Sequence, residues 1–334
     1  MAMIRRRPAG LLAPAVVALC AAGLAGCSNE SVTPASSGTV AYAAIGANAA
    51  NPGDTVAVVQ ATTGELGRPA TVGTLPSGLA LVPGDAELLV TVKAQNELVE
   101  VATATGKVIK RVGVGLEPDA VAVTPDGRTA LVANFGDNTV TEVHLPGLTV
   151  GRTVPVGRQP VAIAMVAGGH QALVVNFQDG TLPPVALPAL VAGAEVPVGA
   201  GPVAVSVPSA TEALVADFQT SSVTPVALPS LAPQPSIPLG ADPTGVDAAP
   251  GAALAWVSAG FGITPVSLVG GLVGQAIPLG VPAQCIAMAP GDTAWVCSGN
   301  GALVEVDLAK GKVIRSVALD GIPAVVVVAG AVGA

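Results

Sequence analysis

A glycine–proline signal returns along this chain at nearly fixed intervals, and no other feature limits the possible folds as much. Its prolines stand at positions 76, 118, 160, 202, 243, 282 and 323, with spacings of 42, 42, 42, 41, 39 and 41 residues. A related string follows three of them: "ALVANFGDNTV" from Ala130, "ALVVNFQDGTL" from Ala172 and "ALVADFQTSSV" from Ala213. A period near forty makes each unit one supersecondary element, unable to bury its apolar face without a neighbour stacked against it.

Each unit holds four short runs suited to β-strands. After Pro118 the chain reads "DAVAV", the turn "TPDGR", "TALVAN", the loop "FGDN", "TVTEVHL", "PGL" and "TVGRTVPVG". The turns "VPGDAEL" and "APGDTAW" fill the "TPDGRTA" slot in two other units. Proline presets φ at such a corner and glycine takes its positive-φ position. With 41 Gly and 30 Pro spread through a chain that is 51% hydrophobic, long helices have no room. Four strands per unit at this period is the pattern of a propeller blade.

The two ends set the blade count. Residues 38–75 hold three strand-like runs and no leading proline strand, whereas "IPAVVVVAGAVGA" at the other end holds one leading strand and nothing after it. Three and one complete a blade. The expectation is therefore an all-β fold over residues 38–334. It is a seven-bladed β-propeller of four-stranded antiparallel blades, closed by pairing of the N-terminal strands with the C-terminal strand, which leaves no open sheet edge. The run Val325 to Val332 is too short to span a membrane, which takes roughly 20 residues.

Leu131-Val132-Ala133-Asn134 and Leu173-Val174-Val175-Asn176, with the strands before and after them, resemble the YVTN family of β-propeller repeats. The resemblance spans roughly residues 70 to 323 and fades where "WVSA" and "WVCS" replace the tetrad. It implies the propeller fold. It implies little about activity, since the family has mixed roles, surface-exposed proteins among them.

Residues 1–26 read as an export signal: Arg5, Arg6 and Arg7, then a mostly apolar run with small residues at its end. The segment closes on Leu24-Ala25-Gly26-Cys27, which resembles the lipobox of bacterial lipoproteins. That resemblance implies cleavage before Cys27 and lipidation of its thiol. Residues 27–37 would then be the lipidated cysteine and a polar tether. Loss of three arginines and no acid takes the net charge from −8 to −11. So acidic a body is unsuited to nucleic acid, which selects clustered Lys and Arg, and leaves the lipid as the sole expected membrane contact.

All four phenylalanines, Phe135, Phe177, Phe218 and Phe261, fall at one repeat position, just after the second strand. They either form an aromatic arc on the loop face or plug the gaps between blades. Asn134, Asn176 and Asp217 precede three of them and are expected to bond locally, as such residues do in turns. Cys285 and Cys297 sit symmetrically about Gly291 in the turn of one hairpin, so they should face each other and form a disulfide in an exported protein. The two histidines, His144 and His170, are not expected to meet, which removes the usual general base and nitrogen ligand from a central site.

Asp247 is the single charge among the residues four places after the repeat prolines, and is either a channel ligand or a solvated acid. Glu117, Asp119, Arg158, Gln159 and Asp242 lie on the fourth-to-first loops and vary between units, as a binding face would. We expect no catalytic set, metal or cofactor. The leading expectation is an exported, lipid-anchored binding or scaffold protein whose partner is a protein, glycan or cell-wall component. The alternatives are an enzyme resembling the seven-bladed lactonases or propeller lyases, and a structural, surface-layer-like envelope protein.

Overall fold

The computed structural model describes residues 39–46 and 53–330. The signal, Cys27 and the whole of the tether lie outside the described residues. Seven antiparallel sheets form a ring of blades. Blades 2 to 7 begin with the innermost strands Pro76–Leu81, Pro118–Val123, Pro160–Met165, Pro202–Ser209, Pro243–Asp247 and Ala283–Ala289. Blade 1 is the expected composite, in which Ile322–Ala329 pairs with Val40–Gly46, followed by Thr55–Gln60 and Ala70–Thr71. In its register Tyr42 faces Val327 and Val40 faces Ala329. The disulfide Cys285–Cys297 closes across the first hairpin of blade 7, where the two residues are direct partners.

The structural register evens out the repeat. Ala283, rather than Pro282, stands opposite Ser298, as Pro243 stands opposite Ala259 and Pro118 opposite Asn134. Proline cannot donate to a strand ladder, and here it precedes the first paired residue.

Small side chains explain the tight inner ring. First and second strands are Ala- and Val-rich and buried on both faces, as in "PDAVAV" and "TALVAN". The fourth strands are mostly exposed, and proline decides their length. Lys107–Gly113, Thr149–Pro155 and Lys312–Ala318 run for seven residues. In blade 5 the outer strand breaks into Ala232–Pro233 and Ile237–Pro238, separated by Pro235. Such prolines deny an incoming strand its partner groups.

Polar bonds tie blade 2 to blade 3 and blade 6 to blade 7. The Ser77 hydroxyl donates to the Pro118 carbonyl and that of Thr244 to the Ala283 carbonyl, both at 2.9 Å. A second tie explains the glycine before blades 3 and 4. The Asn134 Oδ1 accepts from the Gly115 N–H at 3.2 Å, while its Nδ2 donates to Thr139 and Thr141. Asn176 bonds the N–H and carbonyl of Gly157 in the same way. A β-carbon on Gly115 or Gly157 would lie only 2.5 or 2.8 Å from those Asn Cγ atoms. These asparagines therefore hold the fourth-to-first loop as well as the neighbouring third strand, beyond the local turn bonds expected of them.

Blade 5 departs from this arrangement by placing Asp217 in the amide slot. It accepts from the Thr224 hydroxyl at 2.6 Å, and its second oxygen is buried without a hydrogen bond. Burial pushes its carboxyl up to about 7, opposed by Thr224 and the Gly199 N–H. An unfolded chain ionises this group from about pH 4, so its contribution to stability falls as pH rises from about 4 to about 7 and then stays level. Asp217→Asn restores the amide. It should leave the unfolding free energy nearly unchanged at pH 4 and raise it at pH 8, by on the order of 4 kcal/mol at most. Denaturant unfolding of both proteins across this range checks it; a pH-independent difference would contradict the assignment.

Candidate functional site

Two faces follow from the strand order. The second-to-third and fourth-to-first loops make the upper face, and the first-to-second and third-to-fourth turns make the underside. On the upper face the residue before the repeat proline is left-handed in four successive units: Leu75, Glu117, Gln159 and Gly201, with φ of 61°, 48°, 57° and 60°. Three are not glycine, so this conformation must be held in place by its surroundings. For two of them the previous blade does so. The Glu117 N–H donates to the Asn96 side chain and the Gln159 N–H to that of Asn138, both at 2.8 Å.

Asp119 lies just inside the upper mouth between blades 2 and 3, 1% exposed. Lys93 reaches its Oδ1 at 2.8 Å and stands 5.5 Å from the centre of the Phe135 ring. Apart from that ion pair, neither oxygen of Asp119 has a hydrogen bond. Burial pushes its carboxyl up, and the Lys93 charge opposes this. Lys93, which sequence reasoning missed, sits in a short 3-10 turn that replaces the usual loop of its blade.

The other expected residues do not converge on this pair. Arg158 Nε lies 2.5 Å from Asp179 Oδ1, and the Arg158 N–H donates to the other oxygen of the same carboxylate. Those bonds hold Asp179 below the usual carboxylate range. Asp242 accepts from the Ser221 hydroxyl at 2.6 Å. Asp247 faces neither solvent nor a channel ligand: it is 0% exposed. It accepts from the Ser206 hydroxyl of blade 5, from the Ala248 N–H beside it, and from the Met288 N–H of blade 7. Burial raises it to about 6. It clasps three consecutive blades.

Phe135, Phe177 and Phe218 are half-buried and pack against the apolar core centred on blades 4 and 5, as wedges do. Phe261 differs. Ala259 pairs directly with Gly262, so Phe261 falls one residue beyond the shared position, in a tight turn, and is 66% exposed.

Gln159 and Phe177 belong to an open cleft of about 390 Å³ between blades 4 and 5, completed by Gln178, Asp179, Gly180, Ala200, Gly201 and Gln219. The two further glutamines come from second-to-third loops that carried no distinct signal in the sequence. A larger cleft of about 610 Å³ opens on the underside, lined in part by Asp126, Glu142 and His170. His144 Nε2 lies 4.0 Å from Glu142, and His170, from the next blade, lines the same cleft as Glu142. Glu142 is also 3.6 Å from Arg152, an acid–base pair repeated in blade 7 as Glu305 and Arg315. Repetition marks it as part of the blade's construction.

This architecture defines a class, the seven-bladed β-propeller. No protein-family model matches the chain, and none of the curated proteins compared with it does. Among solved structures, it is similar to a functionally unknown protein from Desulfotomaculum acetoxidans, with a TM-score of 0.75 and 15% identity over 87% of this chain and 99% of that one. It is similar to a putative 6-phosphogluconolactonase from Bacteroides uniformis, with a TM-score of 0.71 and 15% identity over the same shares. Virginiamycin B lyase from Staphylococcus aureus follows at 0.64 and 12% identity, over 73% and 84%. At such identities the likeness concerns the fold alone.

Lys93→Ala would leave Asp119 buried without its cation, which typically costs about 3–5 kcal/mol. The loss should appear fully at pH 7 and shrink as pH falls and the carboxyl takes up a proton. Pairing it with Asp119→Ala should recover much of the loss. Unfolding midpoints of the two single variants and the double variant measure the coupling directly.

Proposed function

We propose that this chain is a binding or scaffold propeller of the cell envelope, exported and held by an acylated Cys27, with its upper loops as the binding face. The observation that carries this is the cleft between blades 4 and 5. Gln159, Gln178 and Gln219 surround it, and none of their side-chain amides hydrogen-bonds to another described residue. Loops held by a rigid ring are where binding groups usually sit. The lipobox-like Leu24 to Cys27 and the repeat pattern similar to YVTN proteins support an exported setting.

Chain direction supports the orientation. Val40 pairs with Ala329 at the underside, where the Gly330 N–H donates to Asp85 in the first turn of blade 2. A tether leading back from Val40 to Cys27 would thus depart from the face opposite the cleft. The upper loops would point away from the lipid.

Crosslinking in intact cells followed by membrane fractionation tests this. The wild-type protein should be membrane-bound and give a discrete adduct. Gln178→Ala/Gln219→Ala should stay membrane-bound but lose the adduct, whereas Cys27→Ala should appear in the soluble fraction. Membrane retention of Cys27→Ala would remove the anchor from the proposal, and adducts indifferent to the glutamines would remove the face.

A further inference from the structure

We infer that the cleft between blades 4 and 5 takes a neutral, hydroxyl-rich ligand, a segment of uncharged glycan. This rests on the binding reading above and names its ligand class. Three features of the cleft narrow the chemistry.

Charge comes first. The ionic groups at the rim are Arg158 and Asp179, and they are bonded to each other through both the side chain and the backbone of Arg158. Only Nε and the backbone N–H of Arg158 are used, and its Nη groups stay open, but the pair as a whole carries no net charge to attract a charged partner.

Backbone groups come next. A peptide strand would need unpaired N–H and carbonyl groups to extend. Four of the loop N–H groups are committed: Phe177 donates to the Gln159 carbonyl, Gln178 to Arg158, Phe218 to Gly201 and Gln219 to Ala200, while those of Ala200 and Gly201 stay open, too few to extend a peptide strand. The cleft lies at loop tips, and no strand edge enters it.

What is left is a set of side-chain amides beside an aromatic ring. Each glutamine presents both a donor and an acceptor. A sugar hydroxyl is likewise both, so one amide can serve a hydroxyl in either role or bridge two neighbouring ones. The half-buried Phe177 ring offers an apolar surface for the C–H face of a pyranose. The arrangement is built into the fold. Gln159 is fixed in a left-handed conformation by the bond from its N–H to Asn138. Gln219 lies across Gly201, where a β-carbon would come within 2.6 Å of its Cγ. Gly201 therefore supplies both the left-handed turn and the space for that side chain. The volume falls within the roughly 300–1,000 Å³ usual for small-ligand sites.

Isothermal titration of the purified full chain with neutral oligosaccharides of two to six hexose or N-acetylhexosamine units tests the inference. We expect binding to at least one of them, weakened about tenfold or more by Gln178→Ala/Gln219→Ala, since each lost hydrogen bond contributes about 0.5–1.5 kcal/mol. The affinity should be insensitive to sodium chloride, because no ion pair forms with the ligand. Gln219→Asn, which shortens the amide without removing it, should fall between wild type and the double variant. Circular dichroism and unfolding midpoints confirm that the variants keep the fold. Three outcomes overturn the assignment: no neutral saccharide binds the folded wild type, binding is indifferent to the glutamines, or only acidic polymers bind, with steep salt dependence. If the crosslinked adduct in cells still depends on Gln178 and Gln219 while no neutral saccharide binds, the binding face stands and the ligand class falls.

Discussion

The packing of a strand-end amide against a glycine of the incoming loop is the constraint on which much of this ring depends. Asn134 and Asn176 each take up hydrogen bonds from the loop that delivers the chain to their blade. The amide can lie there because Gly115 and Gly157 have no side chain. Where the loop is pinned, the next innermost strand starts at a fixed height, and its Ala and Val side chains meet those of the neighbouring blade in register. The sequence period is the imprint of this contact. In blades 3 and 4 the glycine leaves the amide its space, at Gly73, Gly240 and Gly280 it takes a positive φ instead, and the proline recurs because the following strand starts there.

Seen this way, the molecule separates what repeats from what does not. Half-buried Phe wedges and cross-strand acid–base pairs recur, and each serves contacts within or between blades. The Lys93–Asp119 pair, the Asp247 clasp, the exposed Phe261 and Gln159 break the pattern, whereas Gln178 and Gln219 share one position in successive blades. Of these, the first two are turned inward. Asp247 is held by groups from three blades, so its irregularity concerns the seam of the ring. The glutamines are turned outward. Broken symmetry suggests function only when the group that breaks it is accessible.

That distinction also marks how far the sequence could be read. The blade count, the composite first blade and the Cys285–Cys297 pair were legible, because each depends on local alternation and spacing that the structure reproduces. Asp247 was not legible. Position in a strand says which ring of the blade a residue occupies, but not whether a neighbouring blade supplies an N–H to meet it. Phe261 was misjudged for a related reason: a four-residue loop has shrunk to two, which shifts the aromatic by one place without disturbing the apparent repeat. Lys93 and Gln219 carried no signal, since their roles arise from loops of separate blades brought together by closure.

The composite blade has a consequence for how the molecule comes into being. Its second to fourth strands emerge from the ribosome before the other six blades, yet their innermost partner, Ile322–Ala329, emerges after them. Throughout synthesis Val40–Gly46 presents a bare edge rich in alanine and valine, and the nascent arc lacks the strand that turns it into a ring. A chain cut short by damage or stalled translation keeps that edge exposed, recognisable to proteases and chaperones. A complete chain conceals it. The join thus records, in the finished molecule, that every blade of the ring was made.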